Sequence, residues 1–352
     1  MEEEVSMDDV FSGTKTVDES LAISQTNLQQ WINENIGKEE ITSIEQFKGG
    51  QSNPTYKITT KNRSFVLRRK PPGKLLPSAH AVDREYAVIT ALQETKVPVP
   101  KSFGLCEDNE VVGTPFFMME FLDGIVHWDL LLPNMTNQQR TEIYAEKNRV
   151  LAALHSVDFN KVGLSNFGKP GNYVARQVSR WTKQYLASET QKISAMDNLI
   201  EWLPENIPDD DETSIVHGDY RLDNMIFNHK HQVMGVLDWE LSTLGHPIAD
   251  FSYHCLSWRT LPQLADETFC REQGIPTEFQ YRDMYSEATG KDLSKNWEFY
   301  IIFNLFKIAA ILQGILGRVR DGTATSKHAK ERGNQVFPIS EAAWASVEKF
   351  YK

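Results

Sequence analysis

The sequence is short of the features that usually fix a protein's class at sight. Its three cysteines, Cys106, Cys255 and Cys270, lie far apart and show no CxxC or Cys/His metal spacing. A disulfide framework and a thiolate metal site are thereby excluded, and a reducing compartment is expected. No run of about 18 apolar residues occurs, so no membrane-spanning helix and no membrane insertion are expected. Positive charge is in deficit, with a formal net charge of −11. That balance argues against a general nucleic-acid binder, because phosphate contacts need a basic face. Met1 to Asp9 are acidic and lack an apolar stretch, so a secretory leader is not expected and a cytoplasmic or organelle-matrix location is.

What is present is the material of a globular protein: 40% hydrophobic and 24% charged residues over 352 positions. That is enough for two domains or one large one, with a core that needs no disulfide or metal staple.

Residues 1–19 are acidic and rich in Ser and Thr, and read as a mobile tail. Leu21 to Ile36 has loosely helical apolar spacing, closed by Gly37; tail and leading helix make up residues 1–40. From Ile41 the texture becomes strand, Gly-rich turn, strand, with the turn at Gly49-Gly50-Gln51-Ser52-Asn53. Phe65-Val66-Leu67-Arg68 gives a third strand, broken by Pro71-Pro72-Gly73. His80 to Leu92 reads as a helix. Val111-Val112 and Pro115 to Phe121 give two more short strands around Gly113. The order β-β-β-α-β-β predicts a small antiparallel sheet with one helix over residues 41–122. Residues 123–352 are mainly helical, at Asn137–Ser156, Gly171–Ser188, Met196–Leu203, Trp297–Leu316 and Glu341–Tyr351. One β interlude, Ile215 to Trp239, interrupts them. The class is α+β, with a boundary near Leu122–Asp123. Asp209-Asp210-Asp211-Glu212 reads as a solvated loop.

That β interlude carries the chemistry. It contains His217-Gly218-Asp219-Tyr220-Arg221-Leu222-Asp223-Asn224 and then Leu237-Asp238-Trp239-Glu240. Met225-Ile226-Phe227 and Val233 to Leu237 flank a polar turn, so the segment reads as a hairpin in which Asn224 falls almost opposite Leu237. Asn224 and Asp238 then stand side by side at its open end, as two ligands for one cation site. Asp219 enters the same place from the preceding loop, and Glu240 is close enough for a further contact. Phosphoryl transfer needs a carboxylate to orient and deprotonate the attacking hydroxyl, oxygen ligands for Mg²⁺, and positive charge against the phosphates.

This segment resembles the catalytic and metal loops of the aminoglycoside phosphotransferase and choline kinase superfamily, a branch of the bilobal protein-kinase-like fold. The resemblance implies ATP and Mg²⁺ as cofactors, Asp219 as catalytic base, and Asn224 and Asp238 as metal ligands. Gly218 stands where protein kinases carry Arg, and Asp238-Trp239-Glu240 where they carry Asp-Phe-Gly, which favours a small-molecule acceptor. Gly49, Gly50, Gln51, Ser52 and Asn53 resemble the phosphate-covering loop without its GxGxxG pattern. Arg68, in place of the usual Lys, is implied to meet the α/β-phosphates and to pair with Glu85. Glu120, Phe121 and Leu122 resemble the hinge that meets adenine. His217 and Asp250 are implied to be structural supports.

Leu67 to His80 and Leu237 to Pro247 are similar, more narrowly, to the kinase-like domain fused to some acyl-CoA dehydrogenases and its standalone bacterial relatives. That implies phosphorylation of a hydroxyl on an acyl thioester, such as a 4-hydroxyacyl-CoA. Two other readings stay open: another small-molecule kinase with an aminoglycoside, choline-like or sugar acceptor, or a non-catalytic nucleotide-binding pseudokinase. The run Arg68-Arg69-Lys70…Lys74 is either a solvated loop or a contact for CoA phosphates. His229 and His231 read as exposed turn residues, and Trp181, Trp202, Trp239 and Trp258 as core, with one or two available to line an apolar cleft.

Overall fold

The computed structural model describes residues 12–49, 53–73, 80–324, 326 and 328–351. These divide into two units. One runs through Phe167 and takes in Asp219–Ser242 and Gln273–Ile275; the other holds Gly168–Gly218, Thr243–Glu272 and the chain from Pro276 onward.

The first unit is built on a six-stranded antiparallel sheet. Its strands are β1 (Thr14–Lys15), β2 (Ile41–Phe47), β3 (Thr55–Thr60), β4 (Ser64–Arg69), β5 (Ser102–Cys106) and β6 (Phe116–Glu120), in the order β1-β2-β3-β4-β6-β5. Residues 14–15, read as tail, thus form an edge strand against Phe47 and Gln46. Side-chain alternation decides what each face of the sheet touches. Phe65 and Leu67 of β4 join Tyr56, Ile58, Phe116 and Met118 in one core with Leu28, Trp31 and Ile32 of helix α1 (Gln25–Asn35). Helix α2 (Val82–Leu92) packs against β5 and β6, burying Val88, Ile89 and Leu92.

The expectation of a strand at Val111-Val112 is corrected. Asn109–Val112 forms a single helical turn, α3, because Asp108 caps its start and Gly113, at φ 90°, ends it. The fifth strand lies earlier, at 102–106. Gly104 is needed there, since a Cβ would stand 3.1 Å from the Trp31 ring. Helix α4 (Asn137–His155) begins with a reciprocal Thr136/Gln139 capping box.

The second unit is helical apart from one strand pair, β7 (Ser214–Val216) with β10 (Thr243–Gly245). Strands β8 (Met225–Phe227) and β9 (Val233–Val236), which fall between them in sequence, belong to the first unit. The helices of the second unit include α5 (Tyr173–Ser188), α6 (Ser194–Glu205), α7 (Pro247–Cys255), α8 (Glu278–Thr289), α9 (Trp297–Arg320) and α10 (Val336–Tyr351). Helix α9 is the hub, packing on α5, α7 and α10. By length and composition it could cross a membrane, the one such helix among the described residues, and 78% of its apolar window is buried in the protein. Asn304, Lys307 and Gln313 interrupt its apolar run, which is why the sequence shows no unbroken one.

The acidic loop at 209–212 is exposed at Asp209, Asp211 and Glu212, as expected, and it is also engaged. Asp210 accepts from the Tyr300 hydroxyl at 2.6 Å, Asp211 from the Asn172 N–H at 2.7 Å, and Glu212 pairs with Lys291. Trp239 and Trp258 are core residues; Trp181 and Trp202 are half-buried.

Candidate active site

Adjacent arginines of β4 point to opposite faces and do different work. Arg68, with Val66, faces α2. Its Nε donates to Glu85 Oε2 at 2.7 Å and its Nη2 to Asp238 Oδ1 at 2.7 Å. Arg68 is 7% and Glu85 1% exposed, so this is a buried ion pair and not a surface one. Burial pushes the Glu85 carboxyl up to about 7, with Arg68 pulling the other way. Burial also works against the Arg68 charge, but Glu85 and then Asp238 outweigh it and hold its pKa above the ordinary value. Arg68 therefore stays cationic, and Glu85 is the group whose charge costs most to keep.

Arg69 faces the other way. Its Nη1 donates to the Val112 carbonyl, its Nη2 to the Leu21 carbonyl at 2.8 Å, and it lies 5.4 Å over the Tyr56 ring. Lys70 lies 3.5 Å from Asp83, and Lys74 falls outside the described residues. At Arg68 and Arg69 the basic run is thus neither a solvated loop nor a pair of open cations.

The segment expected to be catalytic begins where β7 ends. In the second unit, both oxygens of Asp250 accept main-chain donors, His217 N–H to Oδ2 and Gly218 N–H to Oδ1, each at 2.9 Å. Gly218 sits at φ 83°, a conformation that favours glycine. Asp250 and the His217 main chain are brought together as supports.

In the first unit, the Asn224 amide donates to the Asp219 carbonyl at 2.9 Å and reaches the Asp219 carboxylate at 3.4 Å. Tyr220 is buried, and its hydroxyl donates to the Lys147 carbonyl at 2.8 Å, pinning the loop to α4. The hairpin has the expected register. Met225 pairs with Val236, and the Leu237 N–H donates to the Asn224 carbonyl at 2.8 Å. Asp238 follows at φ 62°, ψ 62°, a left-handed conformation that Asp tolerates better than most residues. Trp239, buried behind it, donates from Nε1 to the Val236 carbonyl at 2.9 Å. Asp219, Asn224, Asp238, Arg68 and Glu85 all belong to the first unit.

Two contributors were missed in the sequence. One is the direct Arg68–Asp238 bond, where the expected partners were Glu85 and phosphate. The other is Arg84, whose Nη2 donates to the Phe167 carbonyl at 2.7 Å and the Ser242 carbonyl at 3.4 Å, tying α2 to the turn after Asp238. No sequence signal marks Arg84, because its acceptors are main-chain oxygens.

Gly49 is described, while Gly50, Gln51 and Ser52 lie outside the described residues. Asn53 is fully buried; its Oδ1 lies 3.1 Å from His80 Nδ1, and its Nδ2 has no partner among the described residues. At the expected hinge, Glu120 is exposed and its N–H already donates to the Lys101 carbonyl at 2.8 Å. Phe121 and Leu122 follow the last paired residue of β6, and the Phe121 ring stacks on Phe47.

The sequence profile of the "Phosphotransferase enzyme family" matches residues 43–285, more than half the chain. The chain belongs to that family. This phosphotransferase-family chain is 44% identical over 344 residues to acyl-CoA dehydrogenase family member 10 of Mus musculus, covering 96% of this chain and 32% of that protein. It is 38% identical over 326 residues to acyl-CoA dehydrogenase family member 11 of Homo sapiens, covering 90% of this chain and 42% of that protein. It therefore spans well under half of these curated relatives. A crystal structure from Ralstonia eutropha, provisionally assigned as an aminoglycoside phosphotransferase, is 47% identical with a TM-score of 0.87, covering 93% of this chain and 99% of that one. An aminoglycoside phosphotransferase solved with AMP-PNP and hygromycin B is 12% identical with a TM-score of 0.57, covering 91% and 98%, and shares the fold. The α+β, kinase-like architecture expected from the sequence is the one present.

Proposed function

We propose that the chain is an ATP- and Mg²⁺-dependent phosphotransferase acting on a hydroxyl of a small molecule, with a hydroxyacyl-CoA as acceptor. The carrying observation is that Asp219, Asn224 and Asp238 converge on one hairpin whose metal-loop carboxylate is bonded to a buried, cationic Arg68. In this reading Asp219 orients the acceptor hydroxyl and takes its proton onto a carboxylate oxygen. Asn224 holds the Asp219 loop through its amide hydrogens, which leaves its amide oxygen as donor to a cation. Arg68, fixed by Glu85, presents positive charge to the phosphates.

Asn224 and Asp238 fit magnesium, which takes one or two protein oxygens and completes its shell with phosphate and water. A larger cluster is not required, and none of three His, Cys, Asp or Glu is found among the described residues. When bound, the ion neutralises charge on the nucleotide phosphates. The buried Asn53 amide fits a loop that offers donors to phosphate.

The acyl-CoA acceptor draws its support from the curated relatives, which are named acyl-CoA dehydrogenase family members. A polycationic aminoglycoside is the weaker reading. The acidic cluster it would need is engaged internally, Asp210 by Tyr300, Asp211 by Asn172 and Glu212 by Lys291.

The test is ATP consumption with Mg²⁺ against 4-hydroxyacyl-CoAs, kanamycin, choline and a sugar, with Asp219→Asn as control. Phosphorylated acyl-CoA from the parent alone is the expected result. Nucleotide binding without transfer to any acceptor would instead support a pseudokinase.

A further inference from the structure

With Arg68 and Arg69 buried in their own contacts, another group of cations among the described residues comes forward, that of α5. That helix carries Arg176, Arg180 and Lys183 and no acidic residue, in a chain of net charge −11. Spacings of four and three put them on one side of the helix. With Ala175, Ser179 and Gln184 they line a surface depression of about 730 Å³. Val174, Val178 and Tyr185 occupy the buried side of α5, so the cationic row cannot turn inward. Arg318 of α9 extends the patch: its Nη1 and the Gln184 Nε2 lie 4.0 and 3.7 Å from where a Cβ on Gly314 would stand.

Among the described residues, none of Arg176, Arg180, Lys183 and Arg318 has a carboxylate at ion-pair distance. Arg176 donates only to the Gly171 and Lys169 carbonyls. Like charges gathered without counterions repel one another, so the arrangement favours a ligand that brings several negative charges at once. The row also starts at a telling place. Tyr173, the first residue of α5, lies 2.9 Å from the Cβ position of Gly245, and Gly245 pairs with Ser214 of β7, the strand that leads into His217 and Gly218. Lys183 stands about 15 Å farther along the helix axis. Within this unit, an anionic group held at Lys183 therefore lies about that far from the end of β7, a distance that a ligand with a long arm spans.

We propose that the α5 row, with Arg318, binds the pyrophosphate and ribose phosphate of coenzyme A, and so selects acceptors carried as CoA thioesters over free hydroxy acids. The pantetheine chain supplies the arm. This inference rests on the acyl-thioester reading above and assigns that substrate's recognition to named residues.

The experiment is steady-state kinetics of the full chain with a 4-hydroxyacyl-CoA at saturating ATP, comparing the parent with R180E/K183E. The acceptor KM should rise about tenfold, the size expected for two exposed contacts reversed, while kcat and the KM for ATP stay within about twofold. The parent's acceptor KM should climb with ionic strength, and the variant's much less. Removing the ribose phosphate, as a dephospho-CoA thioester, should weaken the parent and leave the variant nearly unchanged. K330E/R332E, which alters net charge equally elsewhere, should leave the acceptor KM alone. If the reversal lowers the melting temperature, R180Q/K183Q repeats the test with charge only removed, and a smaller rise in KM is expected. An unchanged acceptor KM in an active variant overturns the α5 assignment and leaves the reaction standing. A parent that phosphorylates free hydroxy acids but no CoA thioester overturns the acyl-CoA reading beneath it.

Discussion

Asp250 and Asp219 serve the same loop from opposite conditions. Asp250 is 6% exposed, and each of its oxygens accepts a backbone N–H at 2.9 Å. Asp219 is half-buried, and the Asn224 amide reaches its carboxylate at a long 3.4 Å while donating to its carbonyl at 2.9 Å. A carboxylate that closes two buried backbone donors is committed to structure, because moving it would leave those donors unsatisfied. A half-buried carboxylate keeps an edge that a substrate can reach. In the proposed reading, Asp250 holds shape and Asp219 does chemistry.

The sharpest way to break this contrast is Asp219→Asn. It keeps the shape and removes the base, so turnover should fall about 10²–10⁴-fold while stability moves by no more than about 0.5 kcal/mol. ADP release and thermal melts measure the two halves separately, and surviving turnover would put the base elsewhere.

Glu85→Ala tests a carboxylate that shares both roles. It strands Arg68 in a buried site and should cost about 3–5 kcal/mol in urea unfolding, with nucleotide affinity lost in parallel. A cost below about 1 kcal/mol would mean that Asp238 alone satisfies the guanidinium.

Asp250→Ala should lower stability by about 2–3 kcal/mol, from two orphaned N–H groups, and Asp250→Asn should recover roughly half of that loss. If Asp250→Ala instead removed turnover at unchanged melting temperature, the two aspartates would have been assigned the wrong way round.

The smallest effect is a pH slope near the same helix. His246, stacked on Tyr300, is held below its ordinary value of 6.5 by burial, with Asp210 pulling the other way. The unfolded chain therefore takes up the proton more readily than the folded one. This contribution is intact above about pH 6.5 and is lost as pH falls below it. His246→Gln should flatten that stretch of the melting-temperature curve; an unchanged slope would assign acid loss to other groups.

The catalytic hairpin could be read in advance because two apolar strands around a polar turn admit few registers, and the register alone sets Asn224 opposite Leu237. The pairing of Arg68 with Glu85 was legible only through resemblance. What the sequence hid has physical causes. Val111-Val112 looks extended by composition, but Asp108 and Gly113 supply both caps of a helical turn. The strand at 102–106 contains Gly104, a poor strand former that makes room for Trp31. Asp209 to Glu212 is the exposed acidic run it looked like, but its engagement was hidden because Tyr300 and Lys291 are some 80 to 90 positions away in sequence. Arg68 to Lys74 looked like one cationic patch because charge was read without alternation. The cations of α5 sat in a helix whose existence was expected and whose charge was not weighed.

That alternation has a consequence for how the chain finds its fold. A slip of one residue in β4 that brought Arg69 to the place of Arg68 would bring Lys70 to the place of Arg69, so both sets of partners would still meet a cation and electrostatics discriminates poorly between the two alignments at those places. The frame has to be chosen by bulk. Phe65 and Leu67 belong among Tyr56, Ile58, Phe116 and Met118, and Val66 does not fill the same space. Proofreading of the strand that carries the site's cation is therefore left to greasy residues with no part in the chemistry.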